Sequence, residues 1–359
     1  MSIVNISSIC KIIGRSTPST KNNNLWKKEI PFYSLADLLI NVASRYISIE
    51  NNKFIDEPAI LFSSTATIGN VCYVEEKCWF NDQIKAFISK DSNVLNTKYL
   101  YYWFLNNKHI IKSQANKGSV FSSIGIKELV NMKINLPSIE EQNAIISIIE
   151  PIEKSIKTIN LLQTKIGLFI EKTFNFINDN LVNSDLIEFS LKDLLNIKRG
   201  LPITAKDLLN NPGSYPLISA SSKNNGIFGY FNDYMYDGKN ITISMNGNAG
   251  CIFYQIGKFS ANSDVLVLSN SNKNLTNIDY IYYLLKTKEK EIQNLAIGTT
   301  RFRLGNSVIE KFKVLLPNIE IQEKFSKIVE PLLNLSTKAN KIEKNLNECL
   351  LKIVKKLIV

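Results

Sequence analysis

The chain has 359 residues and a net charge of +11, and its length predicts two domains because one hydrophobic core rarely extends over so many residues. A hydrophobic fraction of 45% with 21% charged residues indicates a globular protein and excludes a disordered one. No run reaches the roughly 18 apolar residues of a membrane span, and the N-terminus lacks the layout of a signal peptide. Five cysteines without a CxxC pair favour a reducing cytoplasm over a disulfide framework or a zinc site. We therefore expect a cytoplasmic protein with no membrane association.

The segment over 1–135 is predicted to be rich in strands. AILFSS and VCYVEEKCWFNDQIKAFIS alternate or run apolar between turn residues, which is typical of strands. The Leu136-Pro137 step then leads into a predicted helix over 136–183. Ser138 is a candidate N-cap, and acids follow in the first turn, where they complement the helix dipole.

The second half of the chain repeats the first with an offset of 180 or 181 residues. LPSIEEQ at Leu136–Gln142 reappears as LPNIEIQ at Leu316–Gln322, and YLYYWFL at Tyr99–Leu105 reappears as YIYYLLK at Tyr280–Lys286. A second strand-rich segment, with ITISM and CIFYQIGKFSANSDVLVLS, is therefore predicted over 184–315, followed by a second helix, capped by Asn318, over 316–359. A period of this length predicts two domains, each with its own core.

Both predicted helices carry a series of positions at heptad spacing. Steps of three and four residues connect Leu332, Leu335, Ala339, Ile342, Leu346, Cys349 and Ile353 in the second helix and Ile152, Ser155, Ile159, Leu162, Ile166, Phe169 and Thr173 in the first. This spacing predicts a narrow apolar seam through which the two helices pair as an antiparallel coiled coil. The alternative is that each helix covers only its own domain. Pro151 and Pro331 lack an N–H and are expected to kink the helices.

Positive charge is concentrated in 1–135 and 184–315, which favours a phosphate backbone as partner, with a merely basic surface as the alternative. Candidates for catalysis are few. His109 is the single histidine, and the sequence has neither a GxxxxGK[ST] loop nor a methyl-transfer motif. Glu75-Glu76-Lys77 has acids that a nuclease site would need, but Ile256-Gly257-Lys258 in the second copy lacks them, so we interpret the first as a strand edge. We expect no catalytic site and no bound metal.

These features together resemble the specificity subunit of type I restriction–modification systems. The resemblance rests on CKIIGRSTPST near the N-terminus, YPLISASSKNNGIFGY at 215–230, GTTRFRLGNS at 298–307 and the two Leu-Pro-x-Ile-Glu-x-Gln segments, and it covers essentially the whole chain. The sequence departs from it at Ile321, where the first copy has Glu141. The resemblance implies an α+β fold: two pseudo-repeated α/β target-recognition domains, 1–135 and 184–315, joined by two long antiparallel helices, 136–183 and 316–359, that form a coiled coil.

The resemblance also implies a function and partners. Each target-recognition domain would read one half of a bipartite site in double-stranded DNA. The helix pair would set the spacing and dock two modification methyltransferase subunits, and a restriction/translocase subunit would join the complex. The chain itself would be non-catalytic and bind no cofactor, because its partners would supply the S-adenosylmethionine and ATP chemistry. The alternatives are the specificity subunit of a type II restriction–methylation enzyme with a bipartite site and a helical adaptor that does not touch DNA.

Direct DNA readout needs Arg, Lys, Asn, Gln or Ser side chains presented on loops. The candidates are Arg15, Lys21, Lys27, Lys28 and Lys117 in the first copy and Arg199, Lys223, Asn224, Asn225, Arg301 and Arg303 in the second. Alternation along an extended segment places Arg301 and Arg303 on one face and turns Phe302 inward. The matching stretch GSVFSSIG has no arginine, which favours a role for these two in the half-site read by the second copy.

Overall fold

The computed structural model describes residues 2–26, 29–48, 54–113, 116–117, 122–182, 185–299 and 302–358. The chain divides into two compact units. Unit one comprises residues 1–160 and 341–359, and unit two comprises residues 161–340. Each unit therefore contains one strand-rich segment together with part of each of the two long helices.

In the described part of unit one, fifteen short strands and helices precede its last strand and the first long helix. In chain order they are β1 Ser2–Asn5, α1 Ile6–Ile9, β2 Cys10–Gly14, β3 Ile30–Tyr33, α2 Asp37–Ile40, β4 Arg45–Ile47, β5 Ala59–Ser63, β6 Val71–Val74, β7 Trp79–Phe80, β8 Ile84–Ser89, α3 Thr97–Asn106, α4 Lys108–Ser113, β9 Asn116–Lys117, β10 Ser122–Ser123, α5 Ile126–Val130, β11 Lys133–Leu136 and α6 Ile139–Asp179. A 3-10 turn at Asn23–Leu25 precedes β3.

The strands of unit one form one four-stranded antiparallel sheet, β2-β8-β5-β6, and a smaller mixed sheet, β4-β3-β7. The first and last strands, β1 and β11, pair with each other in register Ser2↔Leu136, so the segment closes just before the long helix starts. The apolar helix α3 packs against this sheet, and the ring of Phe104 lies 5.3 Å from that of Phe62 and 4.9 Å from that of Phe87. The predicted strands of the first copy are confirmed.

Unit two repeats this architecture. Its elements are β12 Leu186–Ser190, α7 Leu191–Leu194, β13 Leu195–Arg199, α8 Ala205–Asn210, β14 Pro212–Ile218, β15 Ile227–Phe231, β16 Lys239–Ser244, β17 Ile252–Ile256, β18 Ser260–Ala261, β19 Val265–Asn270, α9 Ile278–Thr287, α10 Glu289–Asn294, α11 Asn306–Glu310, β20 Lys313–Pro317 and α12 Ile319–Leu357. The four-stranded sheet is β13-β19-β16-β17, the smaller sheet is β15-β14-β18, and β12 pairs with β20.

The two long helices begin as the sequence predicts. The Ser138 hydroxyl accepts from the Glu141 N–H at 3.3 Å while the Glu141 carboxylate accepts from the Ser138 N–H at 3.0 Å, which forms a reciprocal cap. In the second helix the Asn318 side chain accepts from the Ile321 N–H at 3.1 Å. Both helices continue through their proline, Pro151 and Pro331, so neither proline ends its helix.

Within each unit the segments of α6 and α12 run antiparallel. In unit two, Phe174 lies 5.3 Å from Phe325 by ring centroids, whereas Gln163, earlier in α6, donates to Asn340, later in α12, at 2.5 Å. In unit one the amide of Asn160, in the orientation that satisfies its surroundings, donates to a Glu343 carboxylate oxygen at 3.0 Å. The predicted antiparallel pairing of the helices is confirmed.

The predicted seam is correct at every second position and wrong at the others. The first, third, fifth and seventh positions of each predicted series are buried or half-buried. They are Ile152, Ile159, Ile166 and Thr173 in α6 and Leu332, Ala339, Leu346 and Ile353 in α12. The positions between them are exposed, with Leu335 at 44% and Ile342 at 52%, and the residue that follows each one turns inward instead. A step of three and a step of four both fit helix periodicity. The apolar residues Leu335 and Ile342 suggested a step of three residues from Leu332 and from Ala339. The structure instead takes a step of four and places the more polar Ser336 and Glu343 in the seam.

Candidate nucleic-acid interface

Three of the five predicted DNA-contact residues of the first copy, Arg15, Lys21 and Lys117, lie within the described part of unit one. Arg15 follows β2 and is half-buried, with an Nη1 contact to the Gly14 carbonyl at 3.4 Å. Lys21 is exposed in the turn before the 3-10 segment. Lys117 lies in β9, and Lys27 and Lys28 lie outside the described residues.

In unit two, Arg199 and the Lys223–Asn225 turn are exposed. Arg199 ends β13, and its Nε donates to the Ser263 carbonyl at 2.5 Å, which fixes the base of the side chain. Asn224 and Asn225 both adopt left-handed backbone angles. The Asn225 amide donates to the Tyr254 carbonyl and the Gln255 side chain, both at 3.1 Å, so its hydrogen atoms already hold the turn against β17.

Arg303 is exposed, and its backbone pairs with Ile297 through two reciprocal bonds of 2.8 Å. Arg301 lies outside the described residues. The prediction that Phe302 turns inward is wrong, because 49% of its surface is exposed. Its carbonyl accepts from the Gly247 N–H at 3.0 Å at the tip of a loop, beyond the edge of the core. In this segment Leu304, at 4% exposed, supplies the inward-facing side chain instead.

An open groove of about 550 Å³ lies beside this segment in unit two, and its lining includes Phe302 but not Arg199, Arg303 or the Lys223–Asn225 turn. Phe302 and Asn248 line it together with Ser222, which precedes Lys223 in the chain. Its lining residues are Ser222, Gly247, Asn248, Ala249, Cys251, Gln293, Asn294, Ala296 and Phe302, none of them acidic. Amide side chains beside an aromatic ring, with no acid among them, suit contact with nucleobases beside a phosphate backbone.

A buried glutamine joins the strand-rich segment of unit one to its long helix. Gln142 is 0% exposed. Its side-chain oxygen accepts from the Asn96 N–H at 2.9 Å, and its amide donates to the carbonyls of Val94 and Pro137, each at 3.0 Å. Asn96 is the N-cap of α3, so one side chain ties the start of α6 to the start of α3.

Unit two repeats this joint with the same three bonds. Gln322, also 0% exposed, accepts from the Asn277 N–H at 2.9 Å and donates to Leu275 at 3.2 Å and Pro317 at 2.8 Å. Asn277 caps α9 as Asn96 caps α3. The sequence prediction missed the role of this glutamine, although its recurrence at the end of both Leu-Pro-x-Ile-Glu-x-Gln segments was the available signal.

An ion pair also connects each long helix to its strand-rich segment. In unit one, Lys98 contacts Glu150 at 3.1 Å and Glu153 at 3.4 Å. In unit two, Lys239 contacts Glu330 at 3.2 Å and the buried Asp279 at 2.9 Å. The residue that aligns with Lys98 is Asp279, so the charge at this position is reversed between the copies and the lysine comes from a strand instead.

Burial and pairing determine the pKa shifts around the Lys239 ion pairs of unit two. Burial alone would lower the pKa of Lys239, but the hydrogen bonds and charges of Asp279 and Glu330 outweigh it and raise that pKa. Burial, followed by the Asp279 charge, raises the pKa of the Tyr254 phenol. Tyr254 and Ser326 both donate to Asp279, so the buried carboxylate is fully surrounded by partners.

The candidates for catalysis, His109 and the Glu75-Glu76-Lys77 stretch, lie apart from the contacts described above. His109 is exposed on α4. Glu75, Glu76 and Lys77 lie in the connection between β6 and β7 rather than on a strand, which corrects the strand-edge interpretation, and Lys77 pairs with Asp56 at 3.1 Å. Across the described ranges, no three His, Cys, Asp or Glu side chains are grouped to hold a metal ion. In the same part of the chain, no helix is both long and apolar enough to cross a membrane.

Two units of one fold, each joined to a long helix by the same buried glutamine and each carrying exposed basic loops, define an internally duplicated α+β protein with two long helices. The sequence profile of the family described as "Type I restriction modification DNA specificity domain" matches residues 1–167 and 183–348. The chain belongs to this family, and it is a type I restriction–modification specificity subunit with two target-recognition domains.

Individual relatives agree with this assignment. The type I restriction enzyme MpnII specificity subunit of Mycoplasma pneumoniae is 36% identical over 171 residues, which cover 44% of this chain and 51% of that protein. The type I restriction enzyme MjaIX specificity subunit of Methanocaldococcus jannaschii is 25% identical over 372 residues, covering 91% of this chain and 85% of that protein. The crystal structure of a type I S subunit from M. genitalium matches with a TM-score of 0.73 over 100% of this chain and 96% of that one. At 17% identity this last likeness shows a shared fold, as the sequence resemblance implies.

Proposed function

We propose that the strand-rich segments 1–135 and 184–315 each read one half of a bipartite site in double-stranded DNA. The observation that carries this proposal is the duplication of the joint, since Gln142 and Gln322 make the same three bonds in the two units. Two equal readers on one chain are the single-chain counterpart of a symmetric dimer that reads a split site. The predominantly basic charge of both segments supports phosphate contact.

The helices over 136–183 and 316–359 would set the distance between the half-sites. The helix α6 has 41 residues and continues without a break, which corresponds to about 61 Å at 1.5 Å per residue. A continuous helix pair is stiff compared with a loop of equal length, so it can hold a spacing. The polar bonds of Gln163 and Asn160 support one register of pairing, because each joins a residue of α6 to one residue of α12 and is lost if the helices shift.

The same helices would dock two modification methyltransferase subunits, and a restriction/translocase subunit would complete the assembly. Support comes from apolar side chains that the seam leaves exposed. In the α6 part of unit two these include Leu161, Leu168, Phe169 and Phe176, the last at 70% exposed. Exposed apolar residues at helical spacing are typical of a surface that is covered by a partner.

We further propose that the chain is non-catalytic, acts in the cytoplasm and binds no cofactor of its own. Its partners would then carry the S-adenosylmethionine and ATP chemistry. Support comes from the exposed, isolated position of His109 and from the turn position of the Glu75-Glu76-Lys77 stretch, neither of which forms part of a site. Purified chain without the methyltransferase subunits should bind DNA without modifying it, and methylation by the chain alone would contradict the proposal.

The spacing role is tested by lengthening the helix pair. Inserting seven residues after Ile159 and seven after Ile342, where the two helices of unit one meet, adds one heptad to each and about 10.5 Å at 1.5 Å per residue. We expect the methylated sites of a host carrying the complete system to show a spacer longer by about 3 base pairs. Four residues inserted after Ile342 alone should instead displace the seam and abolish modification. Efficient modification at the original spacing by the lengthened chain would refute a spacer role for the helices.

A further inference from the structure

Each unit holds one short loop of its large sheet against a segment that lies almost sixty residues later in the chain. In unit one the loop is 64–70 and the later segment is 123–124. In unit two the loop is 245–251 and the later segment is 302–304. We call each combination a paired loop. The geometry of the two paired loops is the same, although their side chains differ.

In unit one the backbone of the paired loop is fixed at three points. The Ser64 N–H donates to the Gln83 carbonyl at 2.9 Å, and the Ile124 N–H donates to the Ser64 carbonyl at 2.9 Å. Thr65 forms a β-bridge with Ser123. All of these contacts use backbone atoms, so they place no demand on the side chains at the tip of the loop.

Unit two has the equivalent contacts at the equivalent positions. The Met245 N–H donates to the Asp264 carbonyl at 2.8 Å, the Leu304 N–H donates to the Met245 carbonyl at 2.8 Å, and Asn246 forms a β-bridge with Arg303. The loop tip is left-handed in both units, with φ of 57° at Ala66 and 66° at Gly247. An alanine held in this region is strained, and strain of this kind is concentrated at functional sites.

The side chains on this common backbone have different hydrogen-bonding chemistry. Unit one presents Thr65, Ala66, Thr67 and Ser123 at the positions where unit two presents Asn246, Gly247, Asn248 and Arg303. One set carries hydroxyls and the other carries amides and a guanidinium. A constant backbone with variable polar side chains at its tip is the arrangement expected of a surface that recognises different partners with one scaffold.

Several of these groups in unit two are free to meet a ligand. Asn248 and Arg303 are exposed, and neither side chain makes a hydrogen bond or an ion pair with any other described residue. The Asn246 amide, in contrast, donates to Asp264 at 2.5 Å and braces the loop. Phe302 lines the groove beside Asn248 and adds an apolar surface.

We propose that the paired loop of each unit reads base edges of its half-site. In unit two, Arg303 would bond guanine and Asn248 would bond adenine, the bases whose major-groove edges match a guanidinium and an amide. Phe302 would contact a thymine methyl group or a neighbouring base face. In unit one, the exposed Thr67 and Ser123 present hydroxyls that would make the corresponding contacts. This inference rests on the proposed function of the two units as half-site readers.

The test compares Arg303→Ala and Asn248→Ala with a matched control, Lys311→Ala, which removes an exposed charge of the same unit outside the paired loop. The methylated sites of a host carrying the complete system are sequenced for each variant. We expect the preference for one base to fall by about 5- to 150-fold at one or two positions of a single half-site, the discrimination of one bidentate base contact. The other half-site should be unchanged, and Thr67→Ala should alter that other half instead.

A variant that fails to fold is recognised by its lowered melting temperature. In that case Arg303→Lys is used as a second variant that tests the same contact. Lysine keeps the charge but lacks the planar fork, so base reading predicts that it does not restore the wild-type preference. Restoration by lysine would assign Arg303 to a phosphate and overturn base reading. The inference would also be overturned if Arg303→Ala and Asn248→Ala gave the same methylated motif and the same methylated fraction as Lys311→Ala. In that case a motif that still has two halves would leave the proposed function intact. A wild-type motif without two halves would instead refute the proposed function.

Discussion

Replacing Gln322 by alanine is the most direct way to weaken the joint between a reader and its helix. The substitution removes three hydrogen bonds from a fully buried position: the bond from Asn277 at 2.9 Å and those to Leu275 at 3.2 Å and Pro317 at 2.8 Å. Alanine keeps the helix because it is the best helix former. The effect therefore reports on the joint rather than on the start of α12.

The magnitude follows from the bonds. A typical internal hydrogen bond contributes about 0.5–1.5 kcal/mol, and a buried donor left without a partner adds to the loss. With three bonds removed and the Asn277 N–H orphaned, we expect unit two to lose about 2–4 kcal/mol of unfolding free energy. Gln142→Ala should destabilise unit one by a similar amount, because its bond set is the same.

Denaturant titration combined with amide hydrogen exchange resolves the two units. Exchange at Asn277 and in the first turn of α9 should become faster in Gln322→Ala, with little change around Asn96. The matched control is Lys324→Ala, an exposed site two residues further along α12, where we expect a change within about 0.5 kcal/mol. If Gln322→Ala were no more destabilising than Lys324→Ala, the joint would not be held by this side chain.

Two further predictions use chemistry that the units do not share. The Tyr280 hydroxyl donates to Asn178 at 2.6 Å, whereas the equivalent Tyr99 hydroxyl is buried without a partner among the described residues. Tyr280→Phe should therefore lower the unfolding free energy by about 1 kcal/mol, and Tyr99→Phe should leave it equal or raise it. Paired urea titrations check this, and equal losses in both variants would contradict it. Burial raises the pKa of the Cys78 thiol to about 12 from an ordinary value of 9.0. Because the folded state resists ionisation, stability is complete below pH 9 and falls as pH rises from 9 towards 12, by about 1.4 kcal/mol per pH unit for each such thiol. Cys78→Ala should reduce this alkaline slope in denaturant titrations between pH 8 and 11, and an unchanged slope would contradict the assignment.

Local features of the fold could be predicted because they depend on adjacent residues. Ser138 and Asn318 cap their helices as expected, since a cap needs only its own first turn. The internal repeat could be recognised from the sequence because Leu-Pro-x-Ile-Glu-x-Gln occurs twice. The seam register was half wrong because steps of three and four are equally compatible with a helix, and only the packed partner decides between Leu335 and Ser336.

The candidate interface was harder to predict because its parts are distant in sequence. Arg303 was identified by its charge, but its position beside Asn246 depends on a bridge between segments almost sixty residues apart. Phe302 was misplaced because the alternation rule assumes that one face of the segment is covered, whereas 49% of the Phe302 surface is exposed. The role of Gln322 depends on carbonyl groups that no spacing rule specifies.

The central claim is that the two strand-rich segments are autonomous readers. It is tested most directly by exchanging residues 184–315 for the equivalent segment of another family member and sequencing the methylated sites in a host that carries the complete system. We predict that one half of the recognised sequence changes to that of the donor, while the other half and the spacer length stay as in the wild type. A simultaneous change in both halves would contradict the account.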